Sequence, residues 1–174
     1  TTRLQGSLAG ERLELHTEVA VPKLAGVFQE RLRQLAAGLL PGLEKLDLSG
    51  ALTANGVASW NPQGWEIEAF VRPAGVTISR GETVRLAGLT GELPLLLQRG
   101  PASSITERLA TLQWNELKAG PMNSNDGAVR ITAGPNRWRL REPLRLPAGG
   151  GWLELTSFAL TLVETGPEAQ ASLK

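Results

Sequence analysis

The sequence predicts a mainly β fold: an antiparallel meander of long twisted strands forming an open, curved sheet, with one amphipathic α-helix near the N-terminus. Residues 46–60 and 137–146 carry this prediction, because apolar or small residues alternate there with polar ones. Successive side chains of a strand point to opposite faces, so this period indicates strands with one apolar and one hydrated face. The strand-like stretches also follow one another without alternating helices, which argues against a parallel βαβ fold.

Length and composition limit the possibilities further. The chain has 174 residues, which suits a single β-rich domain over 1–174, and its net charge of +1 gives no strong attraction for nucleic acid. It contains no cysteine, which excludes disulfides and thiolate metal ligands. It also has no apolar run of the roughly 18 residues that a spanning helix needs. Because the chain begins Thr1-Thr2-Arg3, we expect it to be a fragment of a longer protein.

The first predicted elements are a hairpin and a helix. Residues 4–8 and 12–21 alternate around a turn at 9–11. Apolar residues then recur every three or four positions, with prolines at either end, and this predicts a helix over about 22–40. Two glycines weaken its intrinsic stability, so packing must hold it. We interpret it as a helix lying on the sheet. The alternative is a helix that caps an apolar groove or contacts a membrane or partner.

Long strands are predicted over about 44–165. Turns are expected at 61–64 and 80–82, and Pro73 and Gly75 are expected to break the chain between them. Several strands would reach ten residues, against a usual length of about five or six. This length favours a wide meander over a compact sandwich. The tail at 166–174 is either a short edge strand or disordered.

Residues that could perform catalysis are few. His16 is the only histidine and occupies a polar position of its strand, where a solvated side chain is expected. A zinc site would need carboxylates alone, and a nucleophilic triad would have to recruit His16. Scattered acidic residues could converge as a glycosidase pair, although any β-surface rich in carboxylates offers such pairs. We therefore predict no enzyme activity, no catalytic residues, no metal and no cofactor.

Two residue classes have alternative interpretations. The five tryptophans either fill a β-core or form an aromatic platform for a ligand such as a saccharide. The arginines of the second alternating stretch form a basic strand face; they are Arg137, Arg139, Arg141 and Arg145. That face is either solvated or in contact with anionic head groups or a partner protein.

Three ordered segments resemble a known family. They are the strand at 48–56 with Trp60 after it, the pair 75–78 and 84–93, and the stretch 120–131, which precedes the strands at 143–146 and 152–155. In this order they resemble the AsmA-like superfamily of bridge-like lipid transport proteins. The YdbH-like group is the most similar, with TamB and YhdP as relatives. The resemblance covers most of residues 46–158.

The resemblance implies a function in the Gram-negative envelope. It implies the periplasmic portion of an inner-membrane-anchored protein, with the anchor outside this chain, whose apolar β-groove carries or shields phospholipid acyl chains on the way to the outer membrane. Other envelope proteins are possible partners, and the role would lie in outer membrane biogenesis. The candidate groove residues are Leu48, Leu52, Trp60, Trp65, Ile67, Val71, Leu93, Leu95, Leu97, Trp138 and Leu140.

Two other functions stay open at this point. One is a structural or partner-binding β-module without a ligand, docking through the helix at 22–40. The other is a saccharide-binding or glycosidase domain, which would need an exposed tryptophan beside paired carboxylates.

Overall fold

The computed structural model describes residues 1–27, 45–100, 105–163 and 166–174. Within these ranges it confirms a mainly β, antiparallel fold of fourteen strands with a short helix near the N-terminus. That helix, α1, spans Leu24–Val27, so the helix predicted over 22–40 begins at residue 24, and residues 28–40 lie outside the described residues. No helix in the described ranges is long and apolar enough to cross a membrane.

The first six strands form a nearly sequential antiparallel array. They are β1 (Thr2–Ala9), β2 (Arg12–Val21), β3 (Asp47–Asn61), β4 (Gly64–Arg80), β5 (Val84–Gly91) and β6 (Leu93–Arg99). β1 to β4 pair in chain order, and β4 then has two successive partners. Its C-terminal half pairs with β5 and its N-terminal half with β6, so β5 and β6 together line one edge of β4.

The predicted break near Pro73 and Gly75 is a bulge inside the continuous strand β4. Pro73 lies between the last pair with β6 and the first pair with β5, a junction where a strand tolerates a residue without an N–H. Gly75 has a φ of 65° and faces Gly50, whose φ is 102°. A Cβ at Gly50 would lie 2.7 Å from the Gly75 carbonyl oxygen, so the close approach of β3 and β4 at this bulge requires glycine there.

The remaining strands extend the sheet, and the last one in the sheet order pairs back with an earlier strand. They are β7 (Arg108–Trp114), β8 (Glu116–Ala119), β9 (Met122–Ser124), β10 (Gly127–Gly134), β11 (Arg137–Leu140), β12 (Leu144–Ala148), β13 (Gly151–Val163) and β14 (Gly166–Leu173). The order from β5 is β7-β10-β11-β13-β12-β9-β8, and β8 pairs again with β5. β14 pairs with β13, so the C-terminal tail forms an edge strand.

The core lies where β6 meets β10 and β11. Leu96 and Pro94 of β6 are fully buried, and Leu96 clusters with Ala133 of β10 and Trp138 of β11. The intervening residues of β6 project to the opposite side, where they meet the apolar side chains of β4. β6 is therefore apolar on both faces, and it joins the N-terminal strands to the second half of the sheet.

Hydrogen bonds attach the free edge of β6 to the β10–β11 turn. Asn136, with a φ of 55°, donates its backbone N–H to the Leu96 carbonyl at 2.7 Å. Its side chain accepts from the Gln98 N–H at 2.9 Å and donates to the Gln98 carbonyl at 2.8 Å. The Trp138 indole donates to the Pro94 carbonyl at 2.7 Å. These bonds satisfy backbone groups that an isolated edge would leave open.

Replacing Trp138 with Phe removes the indole donor from a buried carbonyl and leaves a small cavity. We expect Trp138→Phe to lower the free energy of unfolding by about 2–4 kcal/mol in urea denaturation. Trp152→Phe is the matched control, because Trp152 is 70% exposed and its loss should change stability by less than about 0.5 kcal/mol. Equal losses in the two variants would contradict the assignment of Trp138 to the core.

Candidate functional site

The strand register collects apolar side chains on one face of the N-terminal sheet. Cross-strand partners point to the same face, and the register runs unbroken from β1 through β4 to β6. We call this surface the apolar face. Its larger members are Leu4, Leu8, Leu13, Leu15, Val19, Val21, Leu52, Trp60, Trp65, Ile67, Val71, Leu93, Leu95 and Leu97.

The residues predicted for a groove lie in different parts of the structure. Eight of them lie on the apolar face: Leu52, Trp60, Trp65, Ile67, Val71, Leu93, Leu95 and Leu97. Leu48 lies beyond the Gly50 bulge, opposite Ile78. Trp138 is in the buried core, and Leu140 pairs with Ile131 in the second half of the sheet. The structure therefore places eight on one face, and three of these, Leu93, Leu95 and Leu97, also pack against the core cluster that contains Trp138.

The apolar face is open to solvent at the end formed by the two hairpins. Leu4 is 64% exposed, Leu8 73%, Leu13 40% and Trp60 62%. Between β2, β3 and β4 the face forms a cleft of about 270 Å³. Its lining consists of Leu13, Leu15, Ala58, Ser59, Trp60, Trp65, Glu66 and Ile67. An exposed cleft with such a lining can hold hydrocarbon but offers little for polar recognition.

Small residues shape the centre of the apolar face. Gly56 of β3 lies between Thr17 of β2 and Ala69 of β4. A Cβ on Gly56 would lie 2.6 Å from the Ala69 Cβ, so a larger residue cannot enter without displacing the strands. Ala54 and Ala58 flank Gly56 on the same face. The apolar face therefore has small side chains along its middle and large ones at Leu15, Trp60 and Trp65.

The opposite face of β1 to β4 is largely polar and carries ion pairs, whereas on β6 that face holds the buried Leu96 and Pro94. Arg108 of β7 contacts Glu68 of β4 at 2.8 Å, and Arg72 contacts Glu92 at 2.6 Å. These pairs border a concavity of about 800 Å³. All four side chains are about a third or more exposed, so each pair stabilises the fold by about 0–1 kcal/mol. The two faces thus differ in chemistry, and the polar one interacts with water.

Groups that could perform catalysis are dispersed on this polar face. His16 bonds to Glu14 at 2.9 Å in an exposed position. Among the described residues, no three His, Asp or Glu side chains come together as potential metal ligands. The exposed Trp60 has Leu13 and Trp65 as its cross-strand neighbours.

Sequence reasoning left the first hairpin out of the candidate site. Leu4, Leu8, Leu13 and Leu15 all belong to the apolar face. Their two-residue alternation is visible in the sequence, but only the register of β2 with β3 shows that the two apolar stripes share a face. The predicted hairpin at the N-terminus is thus an extension of the face.

No protein-family model, curated protein or solved structure matches this chain. The resemblance to the AsmA-like superfamily therefore stays a hypothesis based on the ordered sequence segments.

A carboxylate placed in the apolar cleft should prevent hydrocarbon binding. We expect the wild-type domain to bind the neutral dye Nile red and Ile67→Asp to weaken that binding about tenfold, because the cleft would lose a buried side chain and gain a charge. Val57→Asp is the matched control, since Val57 is equally half-buried on the polar face. Fluorescence titration measures both, and equal weakening would show that the dye does not bind in the cleft.

Proposed function

We propose that this domain binds the acyl chains of phospholipids along its apolar face and acts as a segment of a lipid-carrying protein of the bacterial envelope. The observation that carries the proposal is the exposed apolar cleft beside Trp60 and Trp65. An exposed cleft with an apolar lining is a place where an apolar ligand can be buried.

The dimensions of the apolar face suit an extended acyl chain. Leu52 and Trp60 are eight residues apart in β3, which corresponds to about 26 Å of strand. A bilayer's hydrocarbon core is about 30 Å thick, so one acyl chain spans about 15 Å of it. The strand is therefore longer than one extended acyl chain, and the apolar cleft lies at its Trp60 end.

The energetics suit a carrier better than a specific receptor. Each CH₂ group removed from water contributes about 0.8 kcal/mol, and this gain has no directional requirement. The larger side chains of the apolar face are hydrocarbon or aromatic, so an acyl chain can shift along them without breaking polar contacts. Such a surface supports shielding and movement of lipid, with binding as its activity and no catalytic step.

The cellular part of the proposal is supported by the sequence resemblance. We include in it a periplasmic location, in a protein anchored in the inner membrane outside this chain, and transfer toward the outer membrane. Neighbouring segments of that protein would continue the apolar surface beyond the span of these strands.

Photocrosslinking tests where the acyl chain lies. With a photoreactive residue at Leu15 or Ile67, we expect phospholipid to be crosslinked when the domain is purified from envelope membranes, because both side chains line the apolar cleft. The same residue at His16 or Val57, on the polar face, should give no adduct. Mass spectrometry identifies the adducts. Equal labelling at all four positions, or at none, would contradict the proposal.

A second candidate function, a partner-binding β-module, is favoured by the edge of β1. Thr1 and Ala20 exchange both backbone hydrogen bonds, at 2.9 Å each. By alternation, the N–H and C=O groups of Thr2, Leu4, Gly6 and Leu8 point outward, where no strand of the described residues pairs with them. Such an edge can accept a strand from a second copy. The docking helix considered from sequence lies largely outside the described residues.

The variant Leu4→Pro tests this second candidate. It removes an outward-pointing N–H and leaves the β1–β2 hydrogen bonds intact, so we expect it to abolish any dimer that forms through β1. Leu4→Ala keeps the N–H and should retain that dimer. Sedimentation of lipid-free protein distinguishes the two. A wild-type domain that stays monomeric at high concentration would contradict edge pairing, whereas a dimer lost in both variants would point to contact through the apolar face.

A further inference from the structure

The sheet has a second open edge, at β14. β14 pairs with β13 along one side, and no strand of the described residues pairs with its other side. Residues 168–173 of β14 are exposed, as are all eight residues of β1. β1 and β14 are thus both exposed outer strands of the same sheet.

Two observations show which backbone groups of β14 point outward. Lys174 and Glu154 exchange both backbone hydrogen bonds, at 2.9 and 3.0 Å, so the backbone groups of Lys174 point toward β13. Farther along, Leu162 of β13 donates its N–H to the Asn136 carbonyl, away from β14, so its partner Pro167 points outward. By alternation, the N–H and C=O groups of the following residues also point outward: Ala169, Ala171 and Leu173.

Neither edge has the features that usually prevent strands from pairing. Natural sheet edges are protected by charged residues, by proline or by bulges. Each strand carries a single charged residue, Arg3 in β1 and Glu168 in β14. Residues 4–9 of β1 and 169–173 of β14 contain no charged residue and no proline. Both edges can therefore accept a further strand.

The two edges are complementary when they pair antiparallel. Residues that point outward then pair with one another, so the apolar side chains of both strands lie on one face and the polar ones on the other. A parallel arrangement would set the apolar residues of one strand beside the polar residues of the other. When the two eight-residue strands overlap fully, Leu4 lies opposite Ala171 and Gln5 lies opposite Gln170.

Charge favours pairing of the two different edges over pairing of identical ones. Arg3 and Glu168 lie on the same side of the paired strands, so β1 with β14 brings opposite charges together. β1 with β1 would bring two arginines together, and β14 with β14 two glutamates. Pairing of identical edges would also leave the other edge of every copy open.

We propose that β14 of one copy pairs antiparallel with β1 of a second copy, so that the sheet continues from copy to copy. The contact uses a different patch on each partner, and a contact of this kind leaves both ends of the assembly free to grow. It goes beyond the proposed function, because backbone groups at the edges carry it and acyl binding has no part in it. It also names the partner strand that the edge of β1 takes.

Single cysteines distinguish the possible pairings, because the chain has no cysteine of its own. Full overlap places residue 5 opposite 170 in β1–β14 pairing, but opposite another residue 5 in β1–β1 pairing. Gln5→Cys and Gln170→Cys are mixed without lipid and oxidised, and disulfide-linked dimers are measured on a non-reducing gel. We expect the mixture to give about tenfold more dimer than either variant alone. Glu11→Cys, in the exposed turn after β1, measures random collision.

Proline variants test the same contact through the backbone. Leu4→Pro blocks β1 and Ala171→Pro blocks β14, because each removes an outward N–H. We expect wild-type protein to form oligomers larger than a dimer as its concentration rises, and each variant alone to stay monomeric. An equal mixture of the two variants should form a dimer and stop there, since each supplies the edge that the other lacks. Ala171→Val keeps the N–H and should associate as the wild type does, and sedimentation measures all of these.

The outcomes separate the three possible pairings. Dimers of Gln5→Cys alone or of Ala171→Pro alone would show β1–β1 pairing, and dimers of Gln170→Cys alone or of Leu4→Pro alone would show β14–β14 pairing. Either result overturns the proposal, and so does a wild-type protein or a mixture of variants that stays monomeric. The proposed function is judged separately, by Nile red binding to the wild-type domain, so the two can fail independently.

Discussion

Strand β6 is apolar on both sides and so joins the N-terminal strands to the second half of the sheet. Leu96 and Pro94 are buried on the side of Ala133 and Trp138, while Leu93, Leu95 and Leu97 continue the apolar face of β4. A strand that is buried on one side only could not hold two layers together. Because β6 is also hydrogen-bonded to Asn136 and to the Trp138 indole, its outer edge is satisfied without a further strand. The N-terminal strands are thereby free to present their apolar side chains to solvent.

Strands β2 to β4 carry different chemistry on their two faces. Ion pairs such as Arg108–Glu68 occupy one face, and hydrocarbon occupies the other. Hydrophobic burial is the dominant stabilising term in folding, so leaving the apolar face partly exposed sacrifices stability that a closed sandwich would keep. The proposed lipid function gives that exposure a purpose, since the same area is buried whenever an acyl chain lies on it.

The two-residue alternation predicts most of the strands and the polarity of each face, because it follows directly from strand geometry. It cannot predict what covers a face. Trp138 and Trp60 both lie in stretches where apolar residues alternate with polar ones, yet Trp138 is in the core and Trp60 is 62% exposed. The break expected at Gly75 is a bulge, since a glycine signals a special φ but not whether pairing stops there. Leu4 and Leu8 were missed from the sequence, because their place on the apolar face depends on the register of β1 with β2 and of β2 with β3.

The hydrogen bonds between Asn136 and β6 also have a consequence for the order of folding. β1 with β2 and β3 with β4 are hairpins between strands adjacent in sequence, whose pairing requires only short loops. The bonds from Asn136 to Gln98 join residues 38 apart, and long-range contacts form later because they cost more chain entropy. We expect the hairpins to form before the core closes, as the chain emerges during synthesis. A nascent chain would then display hydrocarbon to its surroundings before the protein is complete, and a chaperone or membrane nearby would meet that surface first.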